Sequence, residues 1–591
     1  MINFEQPKFT MLNLGVEMTT IVCFIMCLIY LCVAENPETL NVNTPVGQIT
    51  GLKQIYPETG ESLFEFRGIP YGKPPVGPLR FRKPEPFGTW KGSLDGTKFG
   101  SPCPQIGIEF LPGFVGQKDS EDCLVLNVYV PRSFERETKL SVMVWIHGGG
   151  FIIGHAHQYD GGRIAMEGDV IVVTINYRLG IFGFLAVDHP ASRGNYGLWD
   201  QKLALQWVHD NIAAFGGNPG SVTIFGESAG GFSVSFQSLI PSNKGLFQRV
   251  IAQSGVVTRT IFPKRRSVKK LISKLSEKTS CVLDDLHSFV NCLRGKTVEE
   301  LLNATNQFLS MPSDRLGFEG IGTPVLDGEL FQDHPIRKLE DESSDVTQFF
   351  RSLDFMTGTT SGEGSLLYIV LLLPFQQFYG FNITEGIPSK VACEGIASPF
   401  VESFYDNDET VKEKICSKYC TETSLEDQSM KATELWADII FNYGTMQMLK
   451  YHTSSHSKTY QYIFSKISSK PAGGPVPKWF KGSGHGDELI YFFDVKGALV
   501  LGEEFVLSEN DKTYAKKLIK YWTSFAKSGY PDGGEGSVAW KPFNMEDKTY
   551  IEFDVDIKHG RNLNPEMEDF WSNQLPKIEL DVVDKGTHDE L

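Results

Sequence analysis

Residues 215–231 read FGGNPGSVTIFGESAGG, and the architecture turns on them. Gly216-Gly217-Asn218-Pro219 is a turn cluster that stops any preceding helix. Ser221 to Phe225 (SVTIF) is an apolar, β-branched run of buried-strand length. Gly226-Glu227-Ser228-Ala229-Gly230 follows, and a helix-length segment begins at Ala229. Strand, G-x-S-x-G and helix in that order place Ser228 on a tight, strained turn, with its hydroxyl projecting from the end of a strand. Glycines two residues to either side relieve the crowding there. The helix aims free N–H groups and its positive dipole end at whatever Ser228 attacks. Without those neighbours the pentapeptide would read equally well as an ordinary Gly-Ser turn.

Outward from this stretch, Leu203, Trp207, Val208 and Ile212 recur near helical spacing within Trp199 to Phe215. Ser141 to His147 (SVMVWIH) and Val170 to Asn176 (VIVVTIN) are further buried strands, and Val250 to Gln253 and Leu353 to Thr357 are shorter ones. Tyr514, Leu518, Ile519, Trp522 and Phe525 mark a late amphipathic helix ended by Gly529 and Pro531. Strands that alternate with helices, and that lack polar alternation, predict an α/β fold. Its large, mostly parallel central sheet carries helices on both faces. Segment 263–350 has mixed charge and helical character and reads as a helical insertion over the sheet. Its basic run, Lys264-Arg265-Arg266 with Lys269-Lys270, reads as a solvated face.

The chain has 591 residues, 41% hydrophobic and 22% charged, which excludes disordered and collagen-like classes. Lys+Arg 56 against Asp+Glu 72 gives a net charge of -16, so no nucleic-acid partner is expected. Ile21 to Ala34 (IVCFIMCLIYLCVA) is uncharged but shorter than the about 20 apolar residues of a membrane span. It has the length of a signal-peptide core, so residues 1–34 are expected to be a cleaved signal, with Met18 as an alternative start. His588-Asp589-Glu590-Leu591 is an HDEL address, read by a retention receptor of the endoplasmic reticulum. Residues 35–587 are left as one catalytic-size domain, and Asn303 and Asn382 head N-x-[ST] glycosylation sequons. In an oxidising lumen, Cys103 with Cys123 and Cys281 with Cys292 are short-range pairs, each closing a loop worth roughly 3 kcal/mol. Cys393, Cys416 and Cys420 remain. Cys416 and Cys420, four apart, read as buried thiols and not as metal ligands.

A serine hydroxyl needs a base, an orienting acid and oxyanion donors before it attacks anything at neutral pH. His147-Gly148-Gly149-Gly150 follows a strand and lets bare amides approach a developing oxyanion. Among the histidines after Ser228, only His485 sits between glycines, in Gly484-His485-Gly486-Asp487. For the acid, Glu363 follows a short strand, and on pattern alone Asp327 and Asp354 are equal candidates. His155-x-His157 lacks a nearby third ligand and reads as a solvated loop, so neither metal nor other cofactor is expected.

Several segments together resemble the type-B carboxylesterase/cholinesterase family of the α/β-hydrolase fold, over roughly residues 43 to 575. They are FRGIPYGKPPVGPLRF (66–81), SEDCLVLNVYVP (120–131), HGGGF (147–151), FGGNPGSVTIFGESAGG (215–231), HGDEL (485–489) and YWTSFAKSGYPD (521–532). Carried over by position, the resemblance implies Ser228 as nucleophile, Glu363 as acid and His485 as base. It implies Gly149, Gly150 and Ala229 as oxyanion donors, and it supports the Cys103–Cys123 and Cys281–Cys292 pairings. One departure lies beside the acid, where many members carry Asn at the position of Thr360. Cholinesterase-like members place a Trp in the loop of the first disulfide; here Pro104 to Asp122 holds Phe110 and Phe114 but no Trp, which disfavours choline esters. Juvenile-hormone esterases carry Gln where Glu227 stands. The HDEL ending resembles lumenal carboxylesterases.

The expected activity is hydrolysis of apolar xenobiotic or lipid esters through an acyl-enzyme, with a small-molecule ester as partner. An acylglycerol lipase would use the same site. A non-catalytic adhesion relative would commonly have lost the triad, which this chain keeps. Phe151, Leu366 and Leu367 read either as an apolar pocket wall or as core.

Overall fold

Val142, Val144 and Ile146 face one hydrophobic core, and Met143 and Trp145 on the same strand face another. The two-residue side-chain period of a strand buried on both sides requires this division. Neighbouring strands divide in the same way: Val173 and Ile224 join the first core, Val172 and Phe225 the second. A computed structural model describes residues 38–106, 118–133, 137–263, 265–306, 322–367, 373–421, 424–454, 458–468, 471, 476–494 and 507–580. The apolar run 21–34, Phe110, Phe114, Lys264 and the HDEL motif lie outside the described residues.

In chain order the main strands are β1 (Thr39–Thr44), β2 (Gly47–Ile55), β3 (Ser62–Pro70), β4 (Val125–Pro131), β5 (Leu140–Ile146) and β6 (Ile171–Ile175). They continue as β7 (Gly217–Glu227), β8 (Arg249–Gln253), β9 (Asp354–Thr360), β10 (Thr459–Phe464), β11 (Thr549–Phe553) and β12 (Lys558–Arg561). The spatial order is β1-β2-β3-β4-β6-β5-β7-β8-β9-β10-β11-β12. From β6 to β11 every pairing is parallel. Antiparallel strands flank both ends. This is the large, mostly parallel sheet expected, in the α/β-hydrolase manner. The antiparallel N-terminal strands are an addition: in β2 (GQITGLKQI) and β3 (SLFEFRGIP), glycines and polar residues interrupt the apolar run that marks a buried strand.

Helices α1 (Tyr196–Asn211) and α2 (Ala229–Gln237) pack against β7. The insertion expected at 263–350 carries α3 (Arg265–Thr279), α4 (Leu286–Arg294) and α5 (Val298–Asn306), which bury Leu275, Phe289 and Leu301 in a separate cluster shared with Phe81, Phe182 and Tyr196. Lys269 and Lys270 are exposed on α3. A second helical insertion, absent from the sequence reading, lies between β9 and β10. It includes α6 (Glu409–Tyr419), α7 (Leu425–Ala437) and α8 (Tyr443–His452). The late helix α9 (Glu509–Ser528) is capped by the Ser508 hydroxyl and closed by left-handed Gly529, with φ 75°.

Disulfides join Cys103–Cys123 and Cys281–Cys292, with Cα separations of 5.0 and 5.7 Å. A third corrects the reading of Cys416 as a thiol. It is bridged to Cys393, at a Cα separation of 5.3 Å, because α6 packs against the helical segment Val391–Ala397. Cys420 is the thiol left over, half-buried at the end of α6, and burial pushes it up to about 11. The three sulfurs lie within 4.8 Å of one another, but two of them are spent on the bridge. Among the described residues no helix is long and apolar enough to cross a membrane. Asn303 and Asn382 are both exposed.

Candidate active site

Ser228 has φ 57° and ψ -124°, a conformation an L-residue adopts only when its surroundings impose it. Two backbone bonds impose it here: Ser228 N–H donates to Gln253 O on the neighbouring strand (2.9 Å), and Phe232 N–H donates to Ser228 O (2.8 Å). Gly230 permits the close seating of α2 that the turn needs. A Cβ there would lie 1.9 Å from Ile146 O. Ser228 stays half-exposed while its neighbours on both sides are buried.

The glycines after β5 approach the same turn. An added Cβ on Gly148 would stand 2.7 Å from Glu227 O and 3.1 Å from Ser228 Cβ, so this loop passes against the Ser228 turn. Gly149 has φ 103°, and a Cβ on it would meet Ile153 O at 2.2 Å, where the chain doubles back. Ile152 and Ile153 N–H both donate to Gly149 O at 3.0 Å, and Gly150 has φ 61°. The preceding His147 is buried, its ring stacked on Tyr177 at 4.5 Å, and burial lowers its pKa to about 4. It is a neutral structural imidazole. Ala229 opens α2, next to Ser228.

His485 reaches this place through a second loop. A parallel bridge between Gly362 and Gly484 ties the segment after β9 to the segment after β10. His485 N–H donates to Ser365 Oγ (2.8 Å), and Gly484 N–H donates to Asp487 Oδ2 (2.7 Å). The imidazole Nδ1 then lies 2.5 Å from Glu363 Oε2. Glu363 Oε1 accepts from Thr360 N–H (2.6 Å) and from the Ser254 hydroxyl (2.5 Å), and the side chain is fully enclosed. Of the three acids left open by pattern, Glu363 is the one against His485. Asp327 accepts N–H bonds from Glu329 and Phe331, and Asp354 pairs with Arg249.

On its other edge His485 Nε2 stands 3.1 Å from Glu227 Oε1, without a hydrogen-bond partner among the described residues. The electrostatics follow from this crowding. Burial alone would lower the His485 pKa, but the Glu227 and Glu363 carboxylates outweigh it and raise it to about 9. Burial raises Glu227 to about 7, with His485 opposing and Glu363 assisting. Glu488, buried beyond Gln253 Nε2 (3.1 Å), is raised to about 8 by burial and by the other two carboxylates. One imidazole therefore serves three buried acids. Substituting Glu227→Gln removes an anion 3.1 Å from Nε2, so the His485 pKa should fall by about 1–2 units. NMR titration of its imidazole checks this; an unmoved pKa would leave its control to Glu363 and Glu488.

Ser254, Ser365 and Glu488 carry no motif of their own in the sequence reading. Ser254 follows the end of β8, and sites in parallel sheets gather at such carboxyl ends, which is the signal that could have found it. Glu488 lies inside the HGDEL segment already singled out.

The His155–His157 reading needs correction. His155 is buried, its ring centroid 3.8 Å from that of His157, and desolvation lowers the two to about 2 and about 4. The loop folds inward because Gly154 is clamped by Gln105, next to the first disulfide. Phe151 is core, edge-on to Phe184 at 5.2 Å; Leu367 is buried with Val391 and Phe400, and Leu366 is half-buried.

The chain matches the Carboxylesterase family over residues 38–571. It is similar to the medium-chain fatty acyl-CoA hydrolase precursor of Anas platyrhynchos, 33% identical over 94% of this chain and 95% of that protein. It is 32% identical to the acylcarnitine hydrolase of Mus musculus, covering 96% and 97% of the two chains. With liver carboxylesterase 1 of Oryctolagus cuniculus it shares 33% identity, over 91% and 93%.

Proposed function

The chain belongs to the carboxylesterase family and is a carboxylic ester hydrolase, and from that premise we propose that Ser228 is its nucleophile, His485 its base and Glu363 the acid that orients the base. What supports this most is the 2.5 Å contact of Glu363 with His485 Nδ1, which leaves Nε2 unbonded beside the turn that carries Ser228. Ser228 Oγ attacks the ester carbonyl and passes its proton to Nε2. The N–H groups of Gly149, Gly150 and Ala229 receive the oxyanion. Collapse of the adduct breaks the C–O bond, and the alkoxide leaves with the proton from His485 as alcohol. Water, deprotonated by the same nitrogen, then attacks the acyl-enzyme, and the carboxylic acid departs as Ser228 recovers its proton.

The substrates are apolar carboxylic esters, xenobiotic or lipid. The relatives' names support an apolar acyl side, a medium-chain fatty acyl-CoA hydrolase and an acylcarnitine hydrolase among them. Three disulfides and the HDEL motif support residence in the lumen of the endoplasmic reticulum, with the retention receptor as partner. The test is rapid mixing with p-nitrophenyl butyrate. A burst of one p-nitrophenol per chain, with the butyryl group on the Ser228 peptide by mass spectrometry, is expected. Steady release without a burst, with acyl groups found elsewhere, would overturn the assignment.

A further inference from the structure

Between α7 and α8 the chain makes a π-helical turn, Asp438–Asn442, in place of a loop. Such turns are rare and gather at functional sites. This one carries Phe441, which is buried. The Phe441 ring lies 4.8 Å from the His485 ring, centroid to centroid, at an interplanar angle of 35°. Two rings so close at that tilt overlap by their faces, since an edge-to-edge pair stands further apart. Phe441 also meets Phe232 at 6.3 Å, and Phe232 N–H is the donor to Ser228 O. One side chain therefore packs against both His485 and α2.

A carboxylate fixes the turn. Asp438, wholly buried, accepts from Asn442 Nδ2 across the turn (2.7 Å) and from the Tyr419 hydroxyl of α6 (2.8 Å). Trp571 Nε1–H in turn donates to the Tyr419 oxygen (3.0 Å). An apolar residue at 438 would cost far less to bury. What the acid supplies is direction. It holds the first and last residues of the π turn together and ties them to α6.

His485 has Glu363 on Nδ1 and Glu227 beside Nε2, and Glu488 adds a third carboxylate to its surroundings. Ring nitrogens bond in the plane of the imidazole, so such contacts restrain its edges and not its faces. Phe441 covers one face. An aromatic face within about 6 Å attracts a cation, the more strongly where water is excluded. We propose that Phe441 is a positioning residue for His485, which steadies the imidazole and favours its protonated form, and that Asp438 acts through Phe441 by holding the π turn. The carboxylates dominate the charge of His485, and Phe441 adds a smaller contribution of the same sign. Acylation draws on that contribution, because the ring becomes an imidazolium as it takes the Ser228 proton. This rests on His485 being the base.

The test follows His485 by NMR titration and, on the same proteins, the acylation rate with p-nitrophenyl butyrate against pH. Phe441→Leu keeps an apolar side chain but has no π-face. The His485 pKa should fall by about 0.5–1 unit and the acylation plateau at high pH by about 3–10-fold, with the half-saturating ester concentration unchanged. A trifluorinated phenylalanine in place of Phe441 keeps the ring and draws electron density from its face. It should lower the His485 pKa in the same direction. A pKa unmoved by the fluorinated ring would reduce Phe441 to packing and overturn the proposal. Asp438→Asn, or the milder Tyr419→Phe, should lower the plateau at least twofold alone and add nothing to the loss in Phe441→Leu. Additive losses would mean that Asp438 acts by another route, and would overturn its link to Phe441. The profile is recorded above the pKa of Asp438, which burial raises to about 7. The NMR titration needs no turnover and the burst on Ser228 is read separately, so failure here and failure of the catalytic assignment are told apart.

Discussion

Ser228→Ala should lower kcat for p-nitrophenyl esters by about 10⁶ while leaving the protein folded. In the proposed mechanism the loss is large because the hydroxyl is the one atom of the site that forms a bond to substrate, and the remaining groups work through it. What persists would be the about 10³–10⁴-fold advantage over water that oxyanion donors and binding supply alone. Stability should hardly change. Alanine keeps the Cβ, so the strain of φ 57° is neither relieved nor increased, and both bonds that fix the turn are backbone bonds. Thermal unfolding and stopped-flow burst amplitude, measured on the same preparations, separate the two effects. A variant that keeps even one hundredth of wild-type kcat would show that another group takes the acyl chain.

The turn at Ser228 was legible because its parts are contiguous: strand, pentapeptide and helix occupy neighbouring residues, and each has a local signature. The parallel sheet was legible for the same reason, since β5, β6 and the second half of β7 carry mostly apolar residues without polar alternation, the mark of burial on both faces. His485 could be picked out by its flanking glycines, whereas Glu363 remained one of three acids on pattern. The contact that distinguishes it spans 122 residues and depends on the register of β9 with β10 and on the Gly362–Gly484 bridge. Ser254 and Glu488 were missed on the same ground. They matter only because parallel strands end side by side, which no local pattern records. Cys416 shows spacing misleading outright: Cys420 is its neighbour along the helix, but the packing of α6 brings Cys393 to it instead. Burial of His155 likewise depends on a clamp from Gln105, distant in sequence.

Glu363→Gln should cost about 10⁴ in kcat/KM at neutral pH, with KM little altered. The argument rests on which way the new amide must point. Thr360 N–H donates to Oε1 at 2.6 Å, and so does Ser254 Oγ at 2.5 Å. An amide NH₂ in that position would face a backbone donor that cannot turn away, so the carbonyl oxygen stays there. The NH₂ then occupies the place of Oε2, 2.5 Å from His485 Nδ1. Donating to Nδ1, it fixes the tautomer with the proton on Nε2, the nitrogen that must accept a proton from Ser228. The substitution would also remove one of the carboxylates that raise the His485 pKa to about 9, so the imidazole should titrate lower. A lower pKa favours the neutral ring below pH 9, yet the rate should still fall, since the neutral ring carries its proton on the wrong nitrogen. Glu227 cannot compensate, because it stands at Nε2 and not at Nδ1. The discriminating measurement is the acylation rate against pH for the wild type, Glu363→Gln and Glu363→Asp. Aspartate keeps a proton acceptor for Nδ1–H and should recover part of the loss, whereas glutamine should recover none at any pH. Equal rates for the two variants would mean that Glu363 only fills space beside His485, and the orienting acid would have to be sought elsewhere.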